Sequence, residues 1–133
     1  MRRPTGRDEG QAAVELALVL PLVGLLLLAL VQVGLLVRDQ VMLVHAAREG
    51  ARAAAVHPQP ASARYAARDA ATSSAGVPAR VLDVEVHHHG AGPDAEVTVT
   101  VRYAAPTDVP LVGALLGDVA LQASATMRVE PPP

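Results

Sequence analysis

The sequence predicts an α+β chain: a long amino-terminal transmembrane helix that continues outside the membrane, then a short helix and a small antiparallel sheet of about three strands. Three observations predict it. Leu16 to Val37 is a run of 22 residues without a charge, including eleven Leu and five Val. An Ala-rich stretch of helical period follows it directly. From Arg80 onward the apolar residues recur every second position, the period of a half-buried strand. The chain of 133 residues then divides into a short basic leader (1–10), a transmembrane helix (11–38), an extracytoplasmic helix extension (39–56), a small extracytoplasmic α+β domain (57–130) and a disordered tail (131–133).

The apolar run is long enough to span. Twenty-two helical residues rise about 33 Å, against a hydrocarbon core of about 30 Å. Its sixteen Leu and Val residues favour insertion by on the order of 5 to 9 kcal/mol. Gln32, Pro21 and two glycines do not cancel that. A cleavable secretion signal would have a shorter apolar stretch and a small-residue cleavage site. Here the run passes instead into Arg38-Asp39-Gln40. Arg2, Arg3 and Arg7 precede the run and Arg38, Arg48 and Arg52 follow it, so the basic count alone is close to a tie. The short tail before Gln11 is easily retained, which favours a cytoplasmic amino terminus.

At the head of the helix stands Gly10-Gln11-Ala12-Ala13-Val14-Glu15-Leu16-Ala17-Leu18-Val19-Leu20-Pro21. Glu15 can be read as an interfacial acid that the helix macrodipole favours. It can also be read as a carboxylate that costs energy at the bilayer edge until a cation meets it. Pro21 removes one backbone donor and crowds the carbonyl of Ala17, so a loosened turn is expected there. Gly24 and Gly34 offer close helix approach, and Gln32 could hydrogen-bond across a helix interface.

Beyond the run, Val41, Val44, Ala47, Ala51 and Ala55 share one arc of a helical wheel, opposite Arg38, His45, Arg48, Glu49 and Arg52. The expected reading is a continuation of the anchor laid on a small domain. His57-Pro58-Gln59-Pro60 stops it. A second helix is predicted over 61–73 with Ser62 as cap, then a loop over 72–78. Leu82, Val84 and Val86 face one side of a first strand, and Val97, Val99, Val101 and Tyr103 one side of a second. Gly90–Asp94 is their turn. Leu121, Ala123, Ala125, Met127 and Val129 mark a third strand. The stretch Leu111 to Leu116 reads as a short helix or an exposed apolar patch.

Composition narrows the function. There is no Cys, so no disulfide and no thiolate metal site. A net charge of -2 argues against nucleic acid as a partner. All eleven basic residues are Arg, which with the Ala, Val and Pro content fits the codon bias of a GC-rich bacterial genome. His87-His88-His89 invites a metal reading, with His87 and His89 on one side of a strand, but the neighbouring acids lack the spacing of a closed site. A solvated strand end is the simpler reading, and no metal or other cofactor is expected. No G-x-S-x-G, P-loop or H-E-x-x-H motif is present, so an enzyme is not expected.

The stretch from Gly10 through Glu15 to Pro21 resembles the TadE-like family of tight-adherence (Flp-type) pilus assembly proteins. A second block, Ala46-Ala47-Arg48-Glu49-Gly50-Ala51-Arg52-Ala53-Ala54, is similar to the Ala/Arg/Gly-rich stretch this family shows after its membrane helix. The resemblance implies a minor pilin or pseudopilin-like subunit of a bacterial plasma membrane, acting in pilus biogenesis or the related secretion system. It implies a pilin-like fold, and as partners the membrane, other pilins or pseudopilins and the pilus assembly machinery. It also implies processing by a prepilin peptidase between Gly10 and Gln11, which would make Glu15 the fifth residue and a partner for a neighbour's amino terminus. Asp8 and Glu9 depart from the basic residue commoner before the cut, and Gln11 from the apolar first residue of major pilins. The alternative is a permanently anchored envelope protein whose outer domain binds a ligand or partner.

Overall fold

Between Arg7 and Ala55 the sequence holds a single proline, and most of its residues are Leu, Ala, Val, Arg, Gln and Glu, which tolerate a helix well. They form one helix, α1 (Arg7–Ala55, 49 residues), about 74 Å long. Pro21 lies inside it without ending it. The structure, a computed structural model, describes residues 7–90, 92–113 and 117–130. Residues 1–6 of the expected leader, the tail 131–133, Ala91 of the expected turn and positions 114–116 of the apolar stretch lie outside the described residues.

The helix stops where the prolines were expected to stop it. His57 N donates to Ala54 O at 3.0 Å, and the His57 ring lies 2.9 Å through Nδ1 from Ala53 O, so two terminal carbonyls are answered. Helix α2 (Pro60–Ser74) follows. Its start corrects the expectation for Ser62. Gln59 occupies the cap position without a side-chain cap bond, Pro60 opens the helix, and the Ser62 hydroxyl donates to Gln59 O at 2.9 Å. Proline suits that place because the missing N–H would have found no helical partner anyway. The carboxyl end runs to Ser74, into the region expected to be loop. Gly76, at φ 65°, takes the left-handed conformation that lets the chain leave.

Strands β1 (Leu82–His89), β2 (Glu96–Ala105) and β3 (Val119–Arg128) form an antiparallel sheet in that order. A single 3-10 turn, Gly92–Asp94, sits in the first connection. Val84 pairs with Val101 and Val86 with Val99, and Val99 in turn with Ala125. The pleat therefore puts one valine-rich face on the helices and Asp83, Glu85, Thr98, Arg102, Gln122 and Ser124 on the other.

The core forms where α1, α2 and that valine face meet: Leu43, Ala46, Ala47, Ala51 and Ala54 of α1, Ala63, Ala67 and Ala71 of α2, and Val97, Val99 and Val101 of β2 are buried. The wheel arc drawn from the sequence was rotated. Ala47, Ala51 and Ala55 are buried and Val44 is half-buried, but Val41 is 62% exposed, and the face turns on Leu43 and the small residues instead. The reason is steric: α2 packs closely only where α1 presents Ala and Gly. Arg38, His45, Arg48 and Arg52 are exposed, as expected.

Candidate functional site

The candidate assembly surface is the apolar half of α1 together with its entrance. None of its most apolar 18-residue stretch is buried within the chain. A soluble protein would bury such a helix against a core, because apolar area left in water costs about 25 cal/mol per Å². The helix is thus long enough, apolar enough and bare enough to be a membrane anchor.

Glu15 is exposed at the head of this half. One turn earlier, the Gln11 side-chain amide donates to its carboxylate at 3.2 Å. The pair is four apart and so on one helix face, a spacing visible in the sequence that gives Gln11 a partner besides its place at the expected cleavage junction. Gly10, Pro21 and Gly34 are exposed and Gly24 is half-buried. A Cβ built on Gly24 or Gly34 would meet nothing within 4 Å, so the chain itself leaves these hollows open. Gln32 differs from the rest. It is 2% exposed and its Oε1 has no hydrogen-bond partner among the described residues.

The downstream block separates into two jobs. Ala46, Ala47, Gly50, Ala51 and Ala54 are core, whereas Arg48 and Arg52 are exposed. Gly50 lies at the crossing of α1, α2 and β2. A Cβ there would stand 3.1 Å from Ala67 O, 3.1 Å from Val99 Cγ1 and 3.3 Å from Ala71 Cβ. The Ala/Arg/Gly pattern is thus a packing signal with arginines on its solvent side.

The outer face of the sheet is polar and internally bonded. Thr98 and Thr126 hydroxyls meet at 2.8 Å, Thr100 and Ser124 at 3.0 Å, and Arg102 Nε donates to Gln122 Oε1 at 3.2 Å. Arg102 also pairs with Glu85 and lies 3.7 Å from Asp83. The hydrogen bond from Arg102 holds the Glu85 carboxyl below the usual carboxylate range, and Glu85 in return raises the guanidinium. His87 and His89 share this face, with ring centres 6.5 Å apart, and His87 Nε2 is 3.7 Å from Glu85. His88, on the other face, has a buried Nε2 without a hydrogen-bond partner among the described residues. Among the described residues no group of three or more His, Asp or Glu side chains is placed to hold a metal ion.

The sequence reading left the connection between β2 and β3 undecided. Leu111 lines an apolar groove together with Pro21, Gly24, Leu25, Leu27, Leu28 and Val31 of α1. The signal available in the sequence was an uncharged run closed at both ends by aspartates, Asp108 and Asp118.

No curated protein and no solved structure matches the chain. A protein-family model described as TadE-like protein matches residues 10–52, about a third of the chain. The matched segment is the apolar half of α1 and its continuation as far as Arg52, without α2 or the sheet. This supports a function connected with the tight-adherence pilus in general and a place in the cell envelope. Residues 10–52 thus carry the TadE-like signature, the same family that the Gly10–Pro21 and Ala46–Ala54 blocks resemble.

Proposed function

We propose that the chain is a minor pilin- or pseudopilin-like subunit, anchored in the bacterial plasma membrane, that acts in tight-adherence pilus biogenesis or the related secretion system. One observation carries this reading: the apolar half of α1 is bare and is headed by an exposed carboxylate, Glu15. A bare apolar helix needs only lipid. A carboxylate at its head, with open hollows at Gly24 and Gly34, favours a second helix and a cation.

In this reading the amino terminus lies in the cytoplasm and the sheet outside it. The anchor packs against the helices of other pilins, and the assembly machinery acts on the complex. A prepilin peptidase cuts after Gly10. The new amino group of a neighbouring subunit then meets Glu15, replacing or joining the Gln11 amide that bonds it within the chain.

Mass spectrometry of the protein extracted from native membranes should find a mature terminus at Gln11; an intact Met1 would remove the processing step. Glu15→Ala should leave insertion intact and weaken co-assembly about three- to twentyfold, from roughly 0.6 to 1.7 kcal/mol per polar contact between membrane helices. Co-purification with partner pilins at the wild-type level would show that Glu15 has no pairing role.

A further inference from the structure

The segment joining β2 to β3 brings Leu111 beside the apolar half of α1. Strand β3 runs alongside α1 in the same direction: the Gln40 side-chain amide donates to Gln122 O at 2.9 Å, and Glu130 N donates to Ala55 O at 2.8 Å. The start of β3 therefore lies near the exit of the apolar run, and Leu111, in the connection before it, lies beside the amino-terminal half of α1. Leu111 lines one apolar groove with Gly24, Leu25 and Leu28. Leu28 stands eleven residues before Asp39, about 16 Å lower along the helix. That is about half the thickness of a 30 Å hydrocarbon core.

Charge placement agrees with this depth. Residues 109–117 carry no charge, and aspartates close both ends. Asp108 and Asp118, with Asp39 of α1, all act on Tyr103, whose phenol is pushed up first by burial and then by these three carboxylates. The three acids thus all lie near Tyr103, and Asp39 stands just past the end of the apolar run of α1.

The backbone of this segment is suited to a medium without water, where each polar group must find a partner inside the protein. Gly113 N donates to Val109 O at 2.9 Å and Gly117 N to Gly113 O at 3.1 Å, while the Thr107 hydroxyl donates to Gly117 O at 2.5 Å. Gly113 is required for this closure, since a Cβ there would come within 1.9 Å of Thr107 O. Leu111 has a φ of 69°, a costly conformation for a bulky residue, and yet is left 64% exposed. A strained, exposed leucine is unfavourable in water and well placed in lipid.

We propose that residues 106–113 form a membrane-dipping turn whose apolar tip, Leu111, enters the outer leaflet beside α1, with phospholipid acyl chains as its partner. The loop sets how deep the anchor sits, because the aspartates at its base stop at the interface. Gln32, buried on α1, stands four residues from Leu28 and so on the same helix face. This rests on reading α1 as a membrane span, and the test separates the two.

The chain has no cysteine, so single-cysteine variants can carry an environment-sensitive fluorophore. Leu111→Cys, Leu26→Cys on the anchor and Ser124→Cys on the outer sheet face would be labelled in the full chain, reconstituted in phosphatidylcholine–phosphatidylglycerol vesicles. The label at 111 should be quenched severalfold more by a nitroxide on the acyl chain than by aqueous iodide, as at 26 and opposite to 124. Adding Gly113→Ala should open the loop and move the label at 111 toward iodide. A label at 111 that follows 124 while 26 follows the acyl nitroxide would overturn the loop and leave the anchor standing. Iodide quenching at 26 would overturn the anchor reading and the loop with it.

Discussion

Replacing both Leu26 and Leu27 with arginine should abolish membrane insertion. The two leucines are 61% and 58% exposed, so no protein contact within the chain compensates their loss. On the insertion scale each change from Leu to Arg near the helix centre costs roughly 3 to 4 kcal/mol. Together they cost about 6 to 8 kcal/mol, against the 5 to 9 kcal/mol estimated for the Leu and Val residues of the run. The balance falls close to zero or below it. Membrane fractionation with alkaline extraction should move most of the variant from the pellet to the soluble or aggregated fraction. The paired change to alanine should stay in the pellet, because alanine is nearly neutral and fourteen Leu and Val residues remain in the run. Retention of the double-arginine variant in the membrane would mean that the helix is held there by something other than its own hydrophobicity.

Gly50→Leu should unfold the outer domain while leaving the anchor inserted. Gly50 is buried at the three-way crossing, and two of the three atoms its Cβ would meet are held by other elements: Ala67 O by the α2 backbone and Val99 Cγ1 by the centre of the sheet. Alanine requires shifts of a few tenths of an ångström, and removing a helix-interior glycine regains about 1 kcal/mol of propensity, so Gly50→Ala should be nearly neutral. Leucine adds three more carbons with no space to enter. Overpacking of that kind costs about 3 kcal/mol, a large share of the stability of so small a domain. Limited proteolysis in detergent should show the outer region of Gly50→Leu cut rapidly and that of Gly50→Ala resisting. Arg52→Ala, on the exposed side of the same motif, should remain within about 0.5 kcal/mol of wild type. Equal protease resistance of all three would remove the packing role assigned to this glycine.

The elements that could be read without coordinates are those in which one physical term dominates over a long stretch. In α1 the term is transfer to lipid: 22 uncharged residues in a row fit a membrane anchor. In the strands it is the pleat. Alternation from Leu82 to Val86 and from Val97 to Tyr103 made one face apolar, and the pairing of Val84 with Val101 follows from keeping that face whole. Of the two blocks that resemble the TadE-like family, Gly10–Pro21 lies within the matched segment 10–52 and Ala46–Ala54 overlaps it as far as Arg52.

Where side chains are small, the sequence speaks weakly. Alanine and glycine carry little hydrophobic signal, so the wheel over 39–56 was drawn toward Val41, while the buried face actually turns on Leu43, Ala46, Gly50 and Ala54. Which alanines are core depends on where α2 lands. The start of α2 was misplaced for a similar reason: Ser62 and Pro60 are both good helix openers, and only the chain's path out of His57 chose between them.

By itself, then, the sequence determined a helix long and apolar enough to cross a membrane, the order of elements and the inward face of the sheet, since these rest on hydrophobic period and on chain-local rules. Tertiary structure decided which small residues touch, why Gly50 has no side chain, and where Leu111 lies. Those are juxtapositions of positions 17 to 90 residues apart, such as Gly50 with Ala67 at a helix crossing and Leu111 with Pro21 around one groove. No local pattern encodes them, because they exist only once the sheet has set β3 alongside α1.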